Sequence, residues 1–258
     1  MDSTARLAVR HAFQLHSQVE MQISRSDHCT TFCDVKLVCS AIPTCCSQTD
    51  RSSVFSRFSR FPVAYNTDMF PAIFLDRDGV LIENRADYVR EWSHVTLLPN
   101  AIDALTGFHR AGFRIIIVTN QSAVGRGVMT FSEAQTINER LVKTIAEHGG
   151  WVDGVFMCPH KPEDNCICRK PQPGLLLQAA RQFSIDLAAS WMIGDAWTDI
   201  LAGQAAGVGG SIIVRTGRGS DQLSQPRPSE VQAFRVCENV LDAFHHITPL
   251  RKNESAHG

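Results

Sequence analysis

Acidic side chains stand at two places in the chain where they could act on one ligand. Asp76 and Asp78 flank a single arginine directly after a short apolar run, and Asp195 follows another such run much later. Converging carboxylates repel one another, so they need a cation or raised pKa values. Oxygen ligands with open positions suit Mg²⁺, which commonly binds one or two carboxylates together with phosphate. Taken alone, however, Asp-x-Asp-Gly is also typical of turns and calcium loops.

A second group of residues has the chemistry of a metal site. Its four members lie within eleven residues of one another: Cys158, His160, Cys166 and Cys168. Three thiolates and one imidazole form a closed tetrahedral site of the structural zinc type. In a reducing compartment such close spacing favours a metal over disulfides. Zinc would order this loop without catalysing, and it would fix the placement of Arg169 and Lys170, which follow directly.

The elements that must position these residues are visible from residue 69 onward. Apolar runs predict strands at Ala72–Leu75, Phe113–Val118, Val152–Met157, Trp191–Ile193 and Ser211–Val214. Helical spacing predicts helices at Ala101–Ala111, Thr130–His148, Gly174–Phe183 and Thr198–Ala206. A Gly/Pro/Ser/Arg-rich loop covers 215–230, and a short strand and a helix fall within 231–246. This alternation predicts an α/β fold, a Rossmann-like three-layer sandwich with a mostly parallel central sheet. No insertion is large enough for a cap domain.

In such sheets ligands bind beyond the carboxyl ends of the strands. Four predicted strands run into polar clusters at that edge: Asp76-Arg-Asp78-Gly79, Thr119-Asn-Gln-Ser122, Cys158-Pro-His160 and Gly194-Asp195. Four strand ends that converge on one rim are a stronger signal than any single motif. The sequence therefore predicts one active site there, with the small zinc-bound loop at its border.

The composition of the chain changes near residue 69. None of the 17 glycines precedes Gly79, and the first 68 residues show no sustained periodicity. We predict one folded α/β domain over 69–250, an N-terminal extension over 1–68 and a tail over 251–258. The extension could be disordered, a targeting peptide, or upstream sequence translated before a natural start at Met69. Its acidic residues argue against a transit peptide.

Charge and hydropathy exclude two classes of partner. The formal net charge is −1, so no overall basic field favours nucleic acid. No apolar run approaches the roughly 18 residues that a membrane helix needs. We therefore expect a cytoplasmic protein, acting as a monomer, that contacts neither nucleic acid nor membrane.

The ordered motifs Phe74-Leu-Asp-Arg-Asp-Gly79, Thr119, Lys170 and Gly194-Asp-x-x-x-Asp199 resemble those of the haloacid dehalogenase superfamily phosphohydrolases. The resemblance covers about residues 69–216. It implies that Asp76 is a nucleophile that forms an aspartyl-phosphate, and that Asp78 acts as general acid and then as base. Thr119 would donate a hydrogen bond to the phosphoryl group, and Lys170 would neutralise charge. Mg²⁺ would bind Asp76, the backbone carbonyl of Asp78, and Asp195.

Two further features narrow this resemblance. They are the loop that carries Cys158, His160, Cys166 and Cys168, which we call the cysteine loop, and the later Arg215-Thr-Gly217. Together with the other motifs they are similar to the D-glycero-D-manno-heptose 1,7-bisphosphate 7-phosphatase family. That family removes the C7 phosphate of a small phosphorylated sugar in the synthesis of ADP-heptose and lipopolysaccharide precursors. The resemblance implies the substrate contacts Arg85, Asp87, Tyr88, Asn120, Gln121, Ser122 and Arg169. Arg126 is a further phosphate candidate, although a solvated arginine at a helix start is as good an interpretation.

Two departures leave alternatives open. The loop between His160 and Cys166 is short, as in histidinol-phosphate phosphatases, so that activity or another small sugar-phosphate phosphatase is the alternative. Ala196 stands where many relatives carry lysine. A zinc-bearing module that binds a phosphorylated ligand without turnover is a third hypothesis, which the intact catalytic motifs disfavour.

Overall fold

The computed structural model describes the backbone of residues 69–254 and the side chains of residues 69–249. The predicted extension over 1–68 lies outside the described residues, as does the very end of the chain. Among the described helices none is both long and apolar enough to cross a membrane.

Six parallel strands form one sheet in the described part of the chain. They are β1 (Phe70–Leu75), β2 (Arg114–Asn120), β3 (Gly154–Cys158), β4 (Ile185–Gly194), β5 (Gly210–Val214) and β6 (Arg235–Cys237). Their order across the sheet is β3-β2-β1-β4-β5-β6. Every pair of neighbours is parallel, so all carboxyl ends share one edge. The predicted parallel α/β fold is confirmed.

Helices cover both faces of this sheet. They are α1 (Ala101–Arg110), α2 (Ser122–Gly125), α3 (Phe131–Glu147), α4 (Gly174–Phe183), α5 (Trp197–Ala206), α6 (Gly219–Ser224) and α7 (Val240–Glu254), with short 3₁₀ turns at Trp92–His94 and Pro162–Asp164. Side chains of a strand alternate between faces, so Ile73 and Leu75 join the core under α1, α3 and α7. Phe74, between them, joins the core under α4 and α5.

Helix α3 begins where the sequence predicts. Thr130 is its N-cap and forms a capping box, in which its hydroxyl accepts the Glu133 N–H at 3.2 Å and the Glu133 carboxylate accepts the Thr130 N–H at 2.7 Å. These bonds satisfy amide groups that have no partner within the helix. The helix start is therefore fixed relative to the loop before it.

Most strands and helices shift by one or two residues from their predicted bounds, and three elements differ more. Strand β4 begins at Ile185, six residues earlier than predicted, because its irregular first half carries no apolar run and pairs with Phe70 and Pro71 across a register shift. The segment predicted as a loop over 215–230 contains α6, whose Gly/Ser-rich sequence hides it. Helix α7 continues to Glu254 through Pro249, so its last turn enters the predicted tail.

The order in which successive strands are added to the sheet reverses between β1 and β4. The chain moves from β1 outward to β2 and β3, then returns to the other side of β1 as β4. Ligands of open α/β sheets bind at such a reversal, beyond the carboxyl ends of the strands. Asp76 follows β1 and Asp195 follows β4, so these two acids flank that crevice.

Candidate active site

Lys170 links two buried carboxylates at the centre of the crevice. Its ammonium nitrogen lies 2.9 Å from an Asp76 oxygen and 2.6 Å from an Asp199 oxygen, and it donates a hydrogen bond of 2.7 Å to the Val118 carbonyl. All three charged side chains are almost wholly buried. Asp199 also accepts the Ala196 N–H at 3.0 Å, and it thereby holds the loop that carries Asp195.

Burial and crowding of charge alter the acidity of these groups. Burial raises the pKa of Asp76 from 3.8 to about 6, although Lys170 opposes the change; nearby Asp199 raises it further. For Lys170, burial disfavours the charged form, but the two carboxylates prevail and its pKa rises. Two buried carboxylates thus share one ammonium, and Asp76 carries the energetic penalty of that arrangement.

Asp78 is held from two sides. Arg77 donates from Nε to Oδ2 and from Nη2 to Oδ1, both at 3.1 Å. The amide of Gln121 donates to Oδ2 at 3.0 Å and to the Thr119 hydroxyl at 2.9 Å. The side chains predicted to act on the leaving group and on the phosphoryl group are therefore connected through Gln121.

Asp195 is enclosed by Arg218 and by two glycines. The Arg218 backbone N–H and Nε donate to Oδ2 at 2.8 and 3.2 Å, and Nη2 donates to Oδ1 at 2.9 Å. A Cβ atom on Gly79 or Gly217 would lie 2.1 or 2.4 Å from Oδ2, and both glycines have positive φ. Only glycine allows such a close approach in this conformation. The Thr216 hydroxyl, which donates to the Gly79 carbonyl at 2.6 Å, joins the two loops.

Burial raises the pKa of the Asp195 carboxyl, although the hydrogen bonds from Arg218 oppose that rise. Burial likewise disfavours the charged form of Arg218, but its contacts with Asp195 prevail and raise its pKa. Asp195 is thus held by a fork of donors from Arg218.

The donor set fits a divalent cation. Oxygens of Asp76, Asp195 and Asp199 lie within 4.8 Å of one another, and all three residues are buried. Asp78 is the fourth carboxylate of the site. In the part of the chain that the structure describes, these four carboxylates form ion pairs with three cations, Arg77, Lys170 and Arg218. The site is thus net negative and would repel a phosphate unless a cation bound there. A hard ion with oxygen ligands meets this need.

The cysteine loop brings its four predicted ligands into one cluster, which consists of Cys158, His160, Cys166 and Cys168. The three sulfur–sulfur distances are 3.3, 3.3 and 3.6 Å, far beyond a disulfide bond. The His160 Nδ1 lies 3.3 Å from Cys168 and 3.6 Å from Cys158. Tetrahedral zinc with bonds of about 2.3 Å to sulfur would separate its ligands by about 3.8 Å. The cluster is compatible with a structural metal.

The three thiols of this cluster differ in acidity. Burial raises the pKa of Cys158, and it raises that of Cys168 together with hydrogen bonding to Cys166. For Cys166, burial acts in the same direction, but hydrogen bonds from Cys168 and the Arg169 amide prevail and lower the pKa. Thiols that burial keeps protonated become good ligands only when a cation stabilises the thiolates.

The cysteine loop is tied to Lys170 by hydrogen bonds that involve main-chain groups. Asn120 donates from its amide to the Lys170 carbonyl and accepts the Lys170 N–H, both at 3.1 Å. Gln121 donates its N–H to the Cys158 carbonyl at 2.7 Å. Arg169 donates to the His160 carbonyl at 3.0 Å. Disorder in the loop would therefore displace the backbone that carries Lys170.

The remaining predicted substrate residues lie in the segments that follow β1 and β2. Arg85 and Asp87 are exposed in the loop that follows Ile82, whereas Tyr88 is partly buried against the core and has a positive φ of 63°. Ser122 starts the short helix α2. The Arg126 guanidinium lies 3.6 Å from Glu163, an exposed pair on the cysteine-loop side.

Two arginines in contact with the acids were not singled out by sequence reasoning. Arg218 lies four residues beyond β5, and the rule that ligands bind at carboxyl ends of strands points to that position. Arg77 stands between the two aspartates of the first motif, but nothing in its sequence context shows whether it faces the site or the solvent.

Comparison with known proteins gives a consistent assignment. A HAD-hydrolase-like family model matches residues 167–243. The D-glycero-beta-D-manno-heptose-1,7-bisphosphate 7-phosphatase of Escherichia coli K12 is 40% identical over 191 residues, which cover 71% of this chain and 95% of the relative. The Yersinia pestis enzyme of the same name is also 40% identical, over 59% of this chain and 84% of the relative.

A solved structure agrees with these relatives. The D,D-heptose 1,7-bisphosphate phosphatase of B. bronchiseptica, complexed with magnesium and phosphate, superposes with a TM-score of 0.64 at 33% identity, covering 70% of this chain and 99% of that one. Since the match extends over nearly the whole length of such relatives, the chain belongs to the D-glycero-beta-D-manno-heptose-1,7-bisphosphate 7-phosphatase family of haloacid dehalogenase-like hydrolases.

Proposed function

We propose that this protein is a Mg²⁺-dependent phosphatase that removes the C7 phosphate of D-glycero-β-D-manno-heptose 1,7-bisphosphate, in the synthesis of ADP-heptose. The observation that carries the proposal is the buried Asp76 carboxylate, ion-paired to Lys170 and only two residues from Asp78, in a chain that matches nearly the whole length of such phosphatases.

Asp76 is suited to be the nucleophile. Its Oδ1 accepts the Arg77 backbone N–H at 2.8 Å and pairs with Lys170 at 2.9 Å, which leaves Oδ2 for attack. Oδ2 would form a bond to phosphorus while the bond between phosphorus and the C7 oxygen breaks. Lys170 holds the attacking carboxylate in one orientation, and its charge favours both the ionised nucleophile and the approach of a phosphate.

Asp78 would carry the proton in both half-reactions. It donates a proton to the departing sugar oxygen and later accepts one from the water that attacks the phosphorus of the aspartyl-phosphate, which restores Asp76. Thr119 donates a hydrogen bond to the phosphoryl group, since its oxygen already accepts one from Gln121. When bound by Asp76, Asp195 and the backbone carbonyl of Asp78, Mg²⁺ supplies positive charge against the phosphoryl oxygens.

The cluster of Cys158, His160, Cys166 and Cys168 would hold structural Zn²⁺. Support comes from the sulfur–sulfur distances of 3.3 to 3.6 Å and from the convergence of three cysteines and one histidine. Zinc would keep Lys170 in place and set Arg169 at the rim, where a guanidinium can bind the second phosphate of the sugar. The exposed Arg85 and Asp87, with Tyr88, Asn120, Gln121 and Ser122, would complete the substrate contacts.

The substrate assignment has a direct test. The protein is purified without chelator, supplied with Mg²⁺ and assayed with both anomers of heptose 1,7-bisphosphate. Histidinol phosphate is assayed separately, because the short loop between His160 and Cys166 resembles that of histidinol-phosphate phosphatases. Phosphorus NMR identifies which phosphate is lost. We expect loss of the C7 phosphate with the β anomer preferred, and no turnover by Asp76→Asn. A preference of more than tenfold for histidinol phosphate would overturn the assignment.

Oligomeric state and location belong to the same proposal. We propose a monomer that acts in the cytoplasm, where a reducing environment keeps Cys158, Cys166 and Cys168 available as metal ligands. Light scattering coupled to size-exclusion chromatography should give the mass of one chain.

A further inference from the structure

We propose that Arg77 and Asn138 are positioning residues, which together fix the carboxylate of Asp78 for proton transfer to the leaving group. The inference rests on the proposed function only in assigning the general acid to Asp78. It assigns a task to a buried cation and to a buried polar residue of helix α3 that no catalytic step uses directly.

The guanidinium of Arg77 is among the most deeply buried charges described. The residue is only 1% exposed. It grips both oxygens of Asp78, with bonds from Nε and Nη2 of 3.1 Å each. Such a two-pronged pair fixes the plane of the carboxylate as well as its distance, which a single hydrogen bond does not do. Burying a guanidinium costs free energy because it loses its hydration, and an apolar side chain in the same space would avoid that cost.

Asn138 determines where that guanidinium lies. Its Oδ1 accepts a bond of 2.7 Å from Arg77 Nη1, and its Nδ2 lies 3.5 Å from the Met157 sulfur. The residue is 5% exposed and stands among the core-facing residues of α3, where Ile137 and Leu141 pack into the sheet. A polar side chain at such a position is unfavourable unless it is bonded, and here its partner is the arginine of the first motif.

The chain of contacts runs from a rigid element to the reacting group. Helix α3 is fixed by its capping box and its apolar face, Asn138 is fixed by the helix, and Arg77 is fixed by Asn138. Gln121 adds a bond of 3.0 Å to one oxygen of Asp78 from the opposite loop. Asp78 remains partly exposed, with 19% of its side chain accessible, so it can still reach a substrate. The acid is thus held in one rotamer without being sealed off.

A positioning role and a purely structural role predict different results. If the two residues position Asp78, the loss of activity in the variants depends on the leaving group of the substrate. An alkyl phosphate needs a proton on the departing oxygen, whereas 4-nitrophenyl phosphate releases a stable phenolate that needs none. General acid catalysis contributes about 10²- to 10⁴-fold, so in the first half-reaction misplacing Asp78 should remove part of that factor for the alkyl substrate alone. A variant that is merely less stable should lose the same fraction of activity on both substrates.

The test compares Arg77→Lys and Asn138→Leu with wild type on 4-nitrophenyl phosphate and on heptose bisphosphate, or on whichever alkyl phosphate the wild type hydrolyses. We expect kcat/KM, which reports only the steps up to formation of the aspartyl-phosphate, to fall at least about tenfold more on the alkyl substrate than on the nitrophenyl ester. Ile137→Val, one residue away on α3, serves as the packing control and should leave the ratio of the two rates unchanged. Thermal unfolding confirms that each variant is folded at the assay temperature.

Equal losses on both substrates in folded variants would overturn the positioning role. If Arg77→Lys fails to fold, Asn138→Leu decides the question, because it keeps the charge pair and removes only the acceptor. Adding Asn138→Leu to Asp78→Asn should cause no further loss on the alkyl substrate, and an additional loss of tenfold would also refute the proposal. Failure of the heptose assignment would appear separately, as absence of wild-type turnover on that sugar, while the ratio remains measurable on another alkyl phosphate.

Discussion

Replacing Lys170 with methionine should destabilise the protein as well as abolish its activity. Methionine nearly matches the length of lysine but carries no charge, so Asp76 and Asp199 would lose the ammonium that lies 2.9 and 2.6 Å away. Removing one partner of a buried ion pair costs about 3–5 kcal/mol. For a domain of this size, a loss of 1 kcal/mol lowers Tm by roughly 2–4 °C, so we expect Tm to fall by about 6–20 °C.

The assay is urea unfolding and calorimetry of zinc-loaded, Mg²⁺-free protein at pH 7.5, with wild type and Lys170→Met side by side. The double variant Lys170→Met/Asp199→Asn supplies the matched control. It removes one of the two stranded charges, so it should regain at least about 1 kcal/mol of the lost stability while activity stays absent. A single variant within 1 kcal/mol of wild type, or a double variant no more stable than the single one, would refute the ion-pair reasoning.

Three further changes follow from the same geometry. Cys168→Ser should lower bound zinc below one per chain by elemental analysis and reduce kcat, whereas full zinc occupancy would contradict the ligand assignment. Gly217→Ala would place a Cβ 2.4 Å from a carboxylate oxygen and should abolish the rise in Tm on adding Mg²⁺, while Gly207→Ala, with no neighbour within 4 Å, should retain it. Asp76→Asn in Mg²⁺-free protein tests acidity. Because folding raises the Asp76 pKa from 3.8 to about 6, the native state binds the proton more tightly, and the wild type loses about 3 kcal/mol relative to the variant between pH 4 and 7; a constant difference would count against this.

Much of this fold could be predicted because its signals are local. Buried parallel strands are short continuous apolar runs, and the run at Ile115–Val118 is one of them. Helix α4 has its predicted bounds, Gly174–Phe183, and Thr130 is the N-cap of α3. The first half of β4 has no such signal. Its Ala188 and Ala189 are exposed, and their N–H groups donate to the side chain of Asp186.

The site divides in the same way. Asp76 and Asp195 follow strand ends and Thr119 lies in the last part of β2, so their convergence is a consequence of parallel topology and could be inferred. The contact of Arg218 with Asp195 depends on how a Gly/Ser-rich loop folds back, and no periodicity encodes that. Asn138 is polar by sequence and would be assigned to the exposed face of its helix, yet the structure buries it against an arginine 61 residues earlier.

The most direct test of the central claim is the chemical identity of the phosphorylated residue. Asp78→Ala retains the nucleophile but lacks the base that activates the attacking water, so the intermediate should accumulate when 4-nitrophenyl phosphate, whose leaving group needs no proton, is added. Borohydride then reduces an aspartyl-phosphate to the corresponding alcohol, and tandem mass spectrometry locates the changed residue. Our account predicts reduction at Asp76. Reduction at Asp195 or Asp199, or no modified carboxylate while phosphate continues to be released, would contradict it.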